Sequence, residues 1–179
     1  FAIKIAKKIK GEIVNADSMQ VYKELKILTA RPLKKNFQKI KHHLYGFRNC
    51  KKDFSTGDWL KMAIKKIKEI KKRKRIPILV GGTGLYFKAL TDGLVEIPDI
   101  PKKFRNQIRF LQKSVGQEKF YRKLLKIDSS ILNQIKPNDV QRSIRAYEIK
   151  KFTGKSITKL KKNTKRIFEE KIFKKIFLD

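Results

Sequence analysis

The chain has 179 residues, enough for a domain with a substantial hydrophobic core, and its apolar content of 40% excludes a disordered protein. It carries 47 basic and 16 acidic residues, which amounts to a net charge of +31. A charge this large favours a polyanionic partner, most simply nucleic acid, although a genome-wide bias towards lysine could explain part of it.

A reducing, cytoplasmic location is expected, because the single Cys50 cannot form an internal disulfide. The adjacent His42 and His43 are expected to diverge into packing or loop hydrogen bonds, so no metal site is predicted for them. No apolar run approaches the roughly 20 residues of a membrane span, and lysines interrupt residues 1–10, unlike a signal peptide. The missing initiator methionine predicts an internal piece of a longer protein, truncated at its C-terminus as well.

Helix and strand alternate in the first part of the chain. Apolar residues at helical spacing predict a helix over residues 1–10 that ends at Gly11. Residues 12–16 are predicted to form a short strand, residues 19–25 a turn of helix, and residues 29–58 a loop-rich stretch.

The next elements extend this into a strand–helix–strand unit. Ser55 or Thr56 is expected to cap a helix, and the apolar run 76–80 suits a strand buried on both faces in a parallel sheet. A further helix is predicted to begin near Leu85, directly after the glycine-rich turn 81–84. This order of elements predicts an α/β fold with right-handed crossovers.

Only helical patterns occur over residues 102–153, where the last helix is predicted to begin at Pro137 and to end at Gly154. A loop is expected over residues 155–166, and a strand returning to the core over residues 172–178. The predicted divisions are an α/β core over 1–98, a helical insertion with its basic last helix over 99–154, and a return to the core over 155–179.

A carboxylate, a hydroxyl, a thioether and an amide follow the first predicted strand, in the order Asp17, Ser18, Met19 and Gln20. The carboxyl ends of parallel strands face the crevice in which open α/β sheets bind ligands. An aspartate placed there can accept a proton from a substrate amine or hydroxyl. The alternative is a local role, in which Asp17 or Ser18 caps the next turn.

The turn GGTG, residues 81–84, joins a predicted strand to a predicted helix. Glycines let backbone N–H groups approach a ligand, the helix N-terminus favours anions, and Thr83 adds a hydroxyl. The turn is not a phosphate loop, because it lacks the Gly-Lys-Ser/Thr ending. Tight packing of the strand against the helix is the alternative interpretation.

Gln141 and Arg145 lie four residues apart on one face of the last predicted helix, with Arg142 beside them. An amide and two guanidiniums can bind base edges and phosphates together. A solvated charged face is the alternative.

Five segments in this order resemble the tRNA isopentenyltransferase (tRNA dimethylallyltransferase) family: NADSMQVYKEL, TARP, HHL, IPILVGGTGLYFKAL and PNDVQRSIRAYEIKKFTGK. Each segment is modestly specific alone, whereas all five in order are highly specific. The resemblance extends over residues 1–158.

This resemblance implies a core like that of P-loop kinases with a helical insertion domain. It implies transfer of a dimethylallyl group from dimethylallyl diphosphate to the exocyclic amine of the adenine just 3′ of the anticodon in tRNA. Mg2+ would assist the diphosphate, and the target base would be flipped into a channel through the protein. A monomer without a membrane partner is expected.

By the same resemblance, Asp17 matches the general base and Thr83 matches a residue at the reacting centre, so both are expected to be catalytic. The expected tRNA contacts are Asp17, Ser18, Met19, Gln20, Thr83, Arg105, Gln141, Arg142, Ser143, Ile144 and Arg145. No residue is expected to bind a metal directly. The family's P-loop and its later C-terminal part are missing from these residues, so the fragment alone is expected to be inactive.

Two alternatives remain at this stage. An isopentenyltransferase acting on free adenine nucleotides would share the core, but it has little use for the net charge of +31 or for the basic last helix. A non-catalytic RNA-binding module is compatible with the charge alone.

Overall fold

The computed structural model describes residues 1–162 and 164–178, so that Asn163 and Asp179 lie outside the described residues. The chain forms two compact units. The first contains Phe1–Gly93 and the C-terminal segment from Arg166, and the second contains Leu94–Lys165.

The first unit is built on a parallel sheet with flanking helices. Its strands are β1 Gly11–Asn15, β2 His42–His43 and β3 Ile76–Val80, and its helices are α1 Ala2–Lys8, α2 Thr56–Lys72 and α3 Gly84–Asp92. β1 lies between the other strands, and Ile13 stands opposite both His42 in β2 and Ile78 in β3. Every residue of β1 is buried, because strands cover both of its edges and the helices α1 and α2 pack against it. The predicted α/β class with a parallel sheet is confirmed.

The N-terminus of α2 is held by a capping box. The Ser55 hydroxyl accepts a hydrogen bond from the Asp58 N–H at 3.1 Å, and the Asp58 carboxylate accepts one from the Ser55 N–H at 3.0 Å. These bonds satisfy N–H groups that no helical carbonyl reaches, and they identify Ser55, one of the two predicted candidates, as the cap. One turn further on, the Trp59 ring stacks on Tyr86 of α3, with ring centroids 4.1 Å apart.

The second unit is helical, as predicted for this part of the chain. Its helices are α4 Lys102–Val115, α5 Gln117–Ile127, α6 Val140–Thr153 and α7 Ile157–Lys162. Phe120, Leu124 and Ile131 are fully buried at its centre. Among the described residues of the whole chain, none of the helices combines the length and the apolar character needed to cross a bilayer.

The helical turn predicted for residues 19–25 is wrong. The Val21 carbonyl accepts hydrogen bonds from the Phe47 and Arg48 N–H groups, both at 2.9 Å. The Lys23 N–H donates to the Arg48 carbonyl at 2.8 Å. The backbone of this segment is therefore bonded to a distant loop, which leaves it no carbonyl ladder on which to build a helix.

Two strand predictions also need correction. β3 is half-buried rather than buried on both faces, because it lies at an edge of the observed sheet, and Ile76 at its start is 48% exposed. Residues 172–178 form no strand, since a short 3-10 turn at Glu170–Ile172 is followed by irregular backbone. A strand needs a neighbour for its hydrogen bonds, and no strand in the described part of the chain pairs with these residues.

β2 lies inside the stretch 29–58 that was predicted to be loop-rich. The sequence did not reveal this strand, because two residues are too few to show a strand periodicity. The two histidine rings diverge, as predicted. His43 Nε2 lies 2.7 Å from a carboxylate oxygen of Glu12, whereas the His42 ring stacks on Phe37 with centroids 3.9 Å apart.

α7 lies within the predicted loop 155–166, of which Asn163 is outside the described residues. The helix forms because the Ser156 hydroxyl accepts the Thr158 N–H at 3.2 Å and the Ser156 carbonyl accepts the Leu160 N–H at 3.0 Å. A hydroxyl just before a short basic segment was the signal for this cap.

A buried carboxylate ties β1 to the segment after α2. Glu12 accepts hydrogen bonds from Arg73 Nη2 at 2.8 Å and Arg73 Nε at 3.2 Å, and it also contacts His43. Burial alone would raise the pKa of Glu12, but the hydrogen bonds from Arg73 and His43 outweigh it and hold the pKa below its usual 4.5.

Replacing Glu12 by Gln is expected to destabilise the chain by about 1–3 kcal/mol at neutral pH, because Arg73 and His43 lose a charged acceptor. Since the folded-state pKa is lowered, this advantage of the wild type is present above pH 4.5 and is lost as the pH falls through the folded value. Urea unfolding of both proteins from pH 7 to pH 3 measures the difference.

Glu69→Gln is the matched control, because Glu69 pairs with Lys66 on the half-exposed side of α2. It should change stability less than Glu12→Gln does at every pH. A Glu12→Gln penalty that persists unchanged in acid would contradict the ionised network.

Candidate functional site

The carboxyl ends of β1 and β3 bring together the two turns singled out in the sequence. The Ala16 N–H donates to the Val80 carbonyl at 2.8 Å, and the Thr83 N–H donates to the Ala16 carbonyl at 3.2 Å. The Thr83 hydroxyl accepts the Ser18 N–H at 2.8 Å and donates to the Ser18 hydroxyl at 3.2 Å. The expected catalytic pair, Asp17 and Thr83, thus lies on two turns that are bonded directly to each other.

Gly81 allows this close approach. A Cβ atom on Gly81 would lie 2.2 Å from the Ala16 carbonyl carbon and 2.5 Å from the Asp17 nitrogen, far inside van der Waals contact. Gly82 and Gly84 differ, since a Cβ atom on either would meet no heavy atom within 4 Å. One glycine of the turn is therefore required for packing, whereas the other two leave open space beside their backbone.

The two carboxylate oxygens of Asp17 differ in their hydrogen bonds. Oδ1 accepts the N–H groups of Met19 at 2.8 Å and Gln20 at 3.3 Å, which fixes the turn that follows β1. Of the two residues predicted as candidates for the local cap, Asp17 has this role, whereas Ser18 bonds to Thr83. Oδ2 has no hydrogen bond within the described residues, so a substrate donor can use it.

Asn15 is a site residue that sequence reasoning missed. Its buried side chain accepts the Asp17 N–H at 3.0 Å and donates to the carbonyls of Asp17 at 2.9 Å and Leu44 at 3.0 Å. Its own carbonyl accepts the Trp59 indole N–H at 2.9 Å. A polar residue ending a buried strand was the available signal. By these bonds Asn15 holds the backbone of Asp17 in place.

Two tyrosines stand close enough to Asp17 to respond to its charge. Burial and the Asp17 carboxylate raise the pKa of Tyr45 to about 12. Burial, Tyr22 and then Asp17 are the main causes that raise the pKa of Tyr86 to about 12. Both phenols therefore keep their protons at neutral pH.

The other residues of this turn have different surroundings. Met19 is 48% exposed and free to meet a ligand. The Gln20 side-chain amide donates to the Thr29 carbonyl at 2.9 Å, so it supports the loop that follows. The structure therefore presents Met19 outward and uses Gln20 internally.

The predicted basic helix is α6, in the second unit, and it begins at Val140 rather than at Pro137. The Asp139 side chain caps it by accepting the Arg142 N–H at 3.0 Å. Because this hydrogen bond makes Asp139 the N-cap, Pro137 lies before the helix. Gln141 and Arg142 are exposed, and Arg145 is half-buried.

Ser143 and Ile144 are buried in the second unit, although they belong to the stretch expected to contact tRNA. The Ser143 side chain accepts a hydrogen bond from Gln117 Nε2 at 3.2 Å, and Ile144 belongs to the helical core. These two side chains therefore pack the helix against the rest of the second unit. Its exposed and half-exposed side chains are the ones that can present polar groups to a ligand.

Arg105 of α4 and Arg145 of α6 meet at one carboxylate. Glu148, the single acidic residue of α6, has an oxygen 3.1 Å from Arg145 Nη1 and 3.7 Å from Arg105 Nε. The structure thus places together two of the expected tRNA-contacting arginines. Glu148 was not singled out from the sequence, where an acid three residues after an arginine is common on helices.

In the described part of the chain, no cluster of three or more His, Cys, Asp or Glu side chains could hold a metal ion.

The chain matches the family model described as IPP transferase over residues 20–178. It is 60% identical over 179 residues to the tRNA dimethylallyltransferase of Pelagibacter ubique (strain HTCC1062), covering 100% of this chain and 57% of that protein. It is 46% identical over 175 residues to the tRNA dimethylallyltransferase of Rickettsia felis (strain ATCC VR-1525 / URRWXCal2), covering 97% and 57%. The chain thus spans a little more than half the length of these curated relatives.

Solved structures show the same architecture. A eukaryotic dimethylallyltransferase acting on tRNA superposes with a TM-score of 0.78 at 29% identity, over 94% of this chain and 42% of that one. The full-length tRNA isopentenylpyrophosphate transferase of Bacillus halodurans gives a TM-score of 0.53 at 37% identity, over 87% of this chain and 52% of that one. This likeness confirms the predicted α/β core of the P-loop kinase type with a helical insertion.

Gly81→Ala is expected to destabilise the first unit by about 1–3 kcal/mol, because the added methyl group forces the two turns apart. Gly82→Ala is the matched control, since its methyl group meets no atom, and its stability should stay within about 0.5 kcal/mol of the wild type. Urea unfolding compares the three proteins. Equal stability of the two variants would contradict the close contact at Gly81.

Proposed function

We propose that this chain, which belongs to the IPP transferase family, carries the acceptor-activating part of an enzyme that prenylates tRNA. The enzyme transfers a dimethylallyl group from dimethylallyl diphosphate to the exocyclic amine of the adenine just 3′ of the anticodon. The observation that carries this proposal is the bonded pair of turns that holds Asp17 and Thr83 at the carboxyl edge of a parallel sheet.

In this proposal Asp17 is the general base. The exocyclic amine of adenine is a weak nucleophile and loses a proton as its nitrogen bonds to the dimethylallyl carbon. Asp17 Oδ2 accepts that proton, while Oδ1 stays bonded to Met19 and Gln20 and keeps the carboxylate in position. At the same time the bond between the dimethylallyl carbon and the diphosphate oxygen breaks, and the diphosphate leaves with the electron pair.

The turn at 81–84 supports the leaving group. Negative charge develops on the diphosphate, and preorganised N–H donors stabilise it. The open space beside Gly82 and Gly84 lets phosphate oxygens reach the backbone at the start of α3, where the helix dipole favours anions. Thr83 holds the Ser18 backbone and thereby positions the turn that carries Asp17.

Mg2+ belongs to the proposal as an ion that neutralises diphosphate charge when it is bound. Because the described residues form no metal cluster, diphosphate oxygens would be its main ligands, as is common for this ion. No step proposed for Asp17 or Thr83 depends on it.

Recognition of tRNA rests on charge and on flipping of the target base. Unstacking a base costs a few kcal/mol, which contacts to the flipped base and to the RNA backbone must offset. The net charge of +31 attracts the polyanion, and the exposed Arg142 beside Gln141 fits phosphate and base edges. We expect a cytoplasmic monomer.

The whole protein should prenylate tRNA and leave AMP unmodified or nearly so, because AMP offers no extended backbone to its basic surface. Transfer of radiolabelled dimethylallyl groups to equal concentrations of the two acceptors measures the preference. A tRNA lacking adenine at the position 3′ of the anticodon is the matched control and should not be labelled. Preferential labelling of AMP would instead identify an enzyme of free nucleotides.

Asp17→Asn should lower kcat by about 10²–10⁴-fold, because the amide still accepts the Met19 and Gln20 N–H groups but cannot take a proton. The affinity for tRNA should stay within a few-fold of the wild type, as measured by filter binding.

Asp92→Asn is the control for loss of one carboxylate in the same unit, since Asp92 is exposed at the end of α3. It should retain wild-type turnover. Near-normal turnover by Asp17→Asn would remove Asp17 from the role of base, and loss of both turnover and tRNA binding would make it a structural residue.

A further inference from the structure

Glu148 is a buried carboxylate that the reaction itself does not use. Its side chain is only 2% exposed. Oε2 accepts a hydrogen bond from Arg145 Nη1 at 3.1 Å and lies 3.7 Å from Arg105 Nε. Oε1 is buried and has no hydrogen-bond partner within the described residues.

Stability alone does not explain a charge at this position. An apolar residue of similar volume usually stabilises a core as well as a buried ion pair does, because the pair loses its hydration. The unpaired oxygen of Glu148 adds a further cost. What the carboxylate does achieve is to draw arginines from two different helices, α4 and α6, to one oxygen atom.

The two arginines are restrained at one end and accessible at the other. Their side chains are 41% exposed for Arg105 and 40% exposed for Arg145. A guanidinium has five N–H donors. Glu148 accepts a hydrogen bond from Arg145 Nη1, and Arg105 Nε is buried beside Glu148 without a hydrogen bond to any residue that the structure describes. The remaining donors can bind phosphate oxygens, to which the planar fork is well matched.

Arg142 provides a contrast on the same helix. Its side chain is 74% exposed and pairs with Asp139 at 3.4 Å, an ordinary surface contact within one helix turn. Such a pair restrains a long side chain very little. The arrangement around Glu148 therefore differs from the general basic surface in its burial and in joining two helices.

We propose that Glu148 is a positioning residue that holds Arg105 and Arg145 in a shared orientation for binding the phosphate backbone of the tRNA. The inference rests on the proposed function, since it assumes a tRNA substrate. Arginines that are already ordered lose less side-chain entropy when RNA binds, so the carboxylate strengthens binding although its own charge repels phosphate.

The test uses Glu148→Gln in the whole protein. This change keeps the side-chain shape and makes the protein more positive, so attraction by charge alone would tighten tRNA binding. We expect binding about tenfold weaker, from the ordering of two arginine side chains. The KM for tRNA should rise by the same factor, whereas kcat and the KM for dimethylallyl diphosphate should not change.

A second background separates positioning from a structural role. In the variant Arg105→Ala/Arg145→Ala, adding Glu148→Gln should cause no further loss of tRNA binding. It should also raise the Tm of that variant, because it removes a buried charge that has lost its partners. An equal loss of binding in both backgrounds would overturn the proposal.

Glu118→Gln is the matched control, because Glu118 pairs with Arg122 on the exposed surface of α5. It should leave tRNA affinity unchanged or slightly tighter. If Glu148→Gln fails to fold, Arg145→Lys takes its place, since lysine keeps the charge without the planar fork. The same loss of affinity is then expected, and unchanged affinity overturns the proposal.

The two proposals fail differently. A wild-type protein that neither binds nor prenylates tRNA would overturn the proposed function. A wild-type protein that does both, while Glu148→Gln binds tRNA equally or more tightly, would overturn the role of Glu148 alone.

Discussion

The contact between the backbones of Gly81 and Ala16 is the constraint on which the candidate site depends. A side chain at Gly81 would overlap the Ala16 carbonyl group, so only glycine lets the ends of β1 and β3 meet this closely. Because they meet, Thr83 can accept the Ser18 N–H, and the turn that carries Asp17 begins at a fixed point. The position of the candidate base is therefore a consequence of how the ends of two paired strands meet.

The same strand places polar groups at both ends of a buried apolar middle. Near its start, Glu12 bonds to Arg73 and contacts His43, and at its end Asn15 bonds to Leu44 and to the turn of Asp17. Burying such groups is tolerated because hydrogen bonds replace those to water. Buried polar groups therefore tie the sheet to the segment after α2 at one end of β1, and they fix the backbone of Asp17 at the other end.

Structural features could be predicted from the sequence where adjacent residues determine them, and not where residues distant in the chain do. The cap of α2 and the turn at 81–84 follow from a few adjacent residues. The turn was predicted, and the cap was narrowed to Ser55 or Thr56, of which the structure shows Ser55. The conformation of residues 19–25 is decided by bonds to Arg48, far along the chain, which no local periodicity reports. Glu148 was missed for the same reason: it pairs with Arg105, which lies in another helix. The roles expected for Asp17 and Thr83 came from family resemblance, to which the structure adds their bonded neighbours.

In the proposed function, the two units meet different physical demands. Proton transfer needs one group held at hydrogen-bond distance, which strand ends and Asn15 provide. Binding a polyanion begins with long-range attraction, which a net charge of +31 supplies but which salt screens beyond about 10 Å. Such attraction brings tRNA to many surfaces and orients it on none of them. In the proposed function, a base can be delivered to a fixed carboxylate only if some cations are also fixed, and the proposed role of Glu148 is to restrain Arg105 and Arg145 for this purpose. On this argument an acidic residue improves the binding of an acidic ligand, because orientation limits recognition more than charge does.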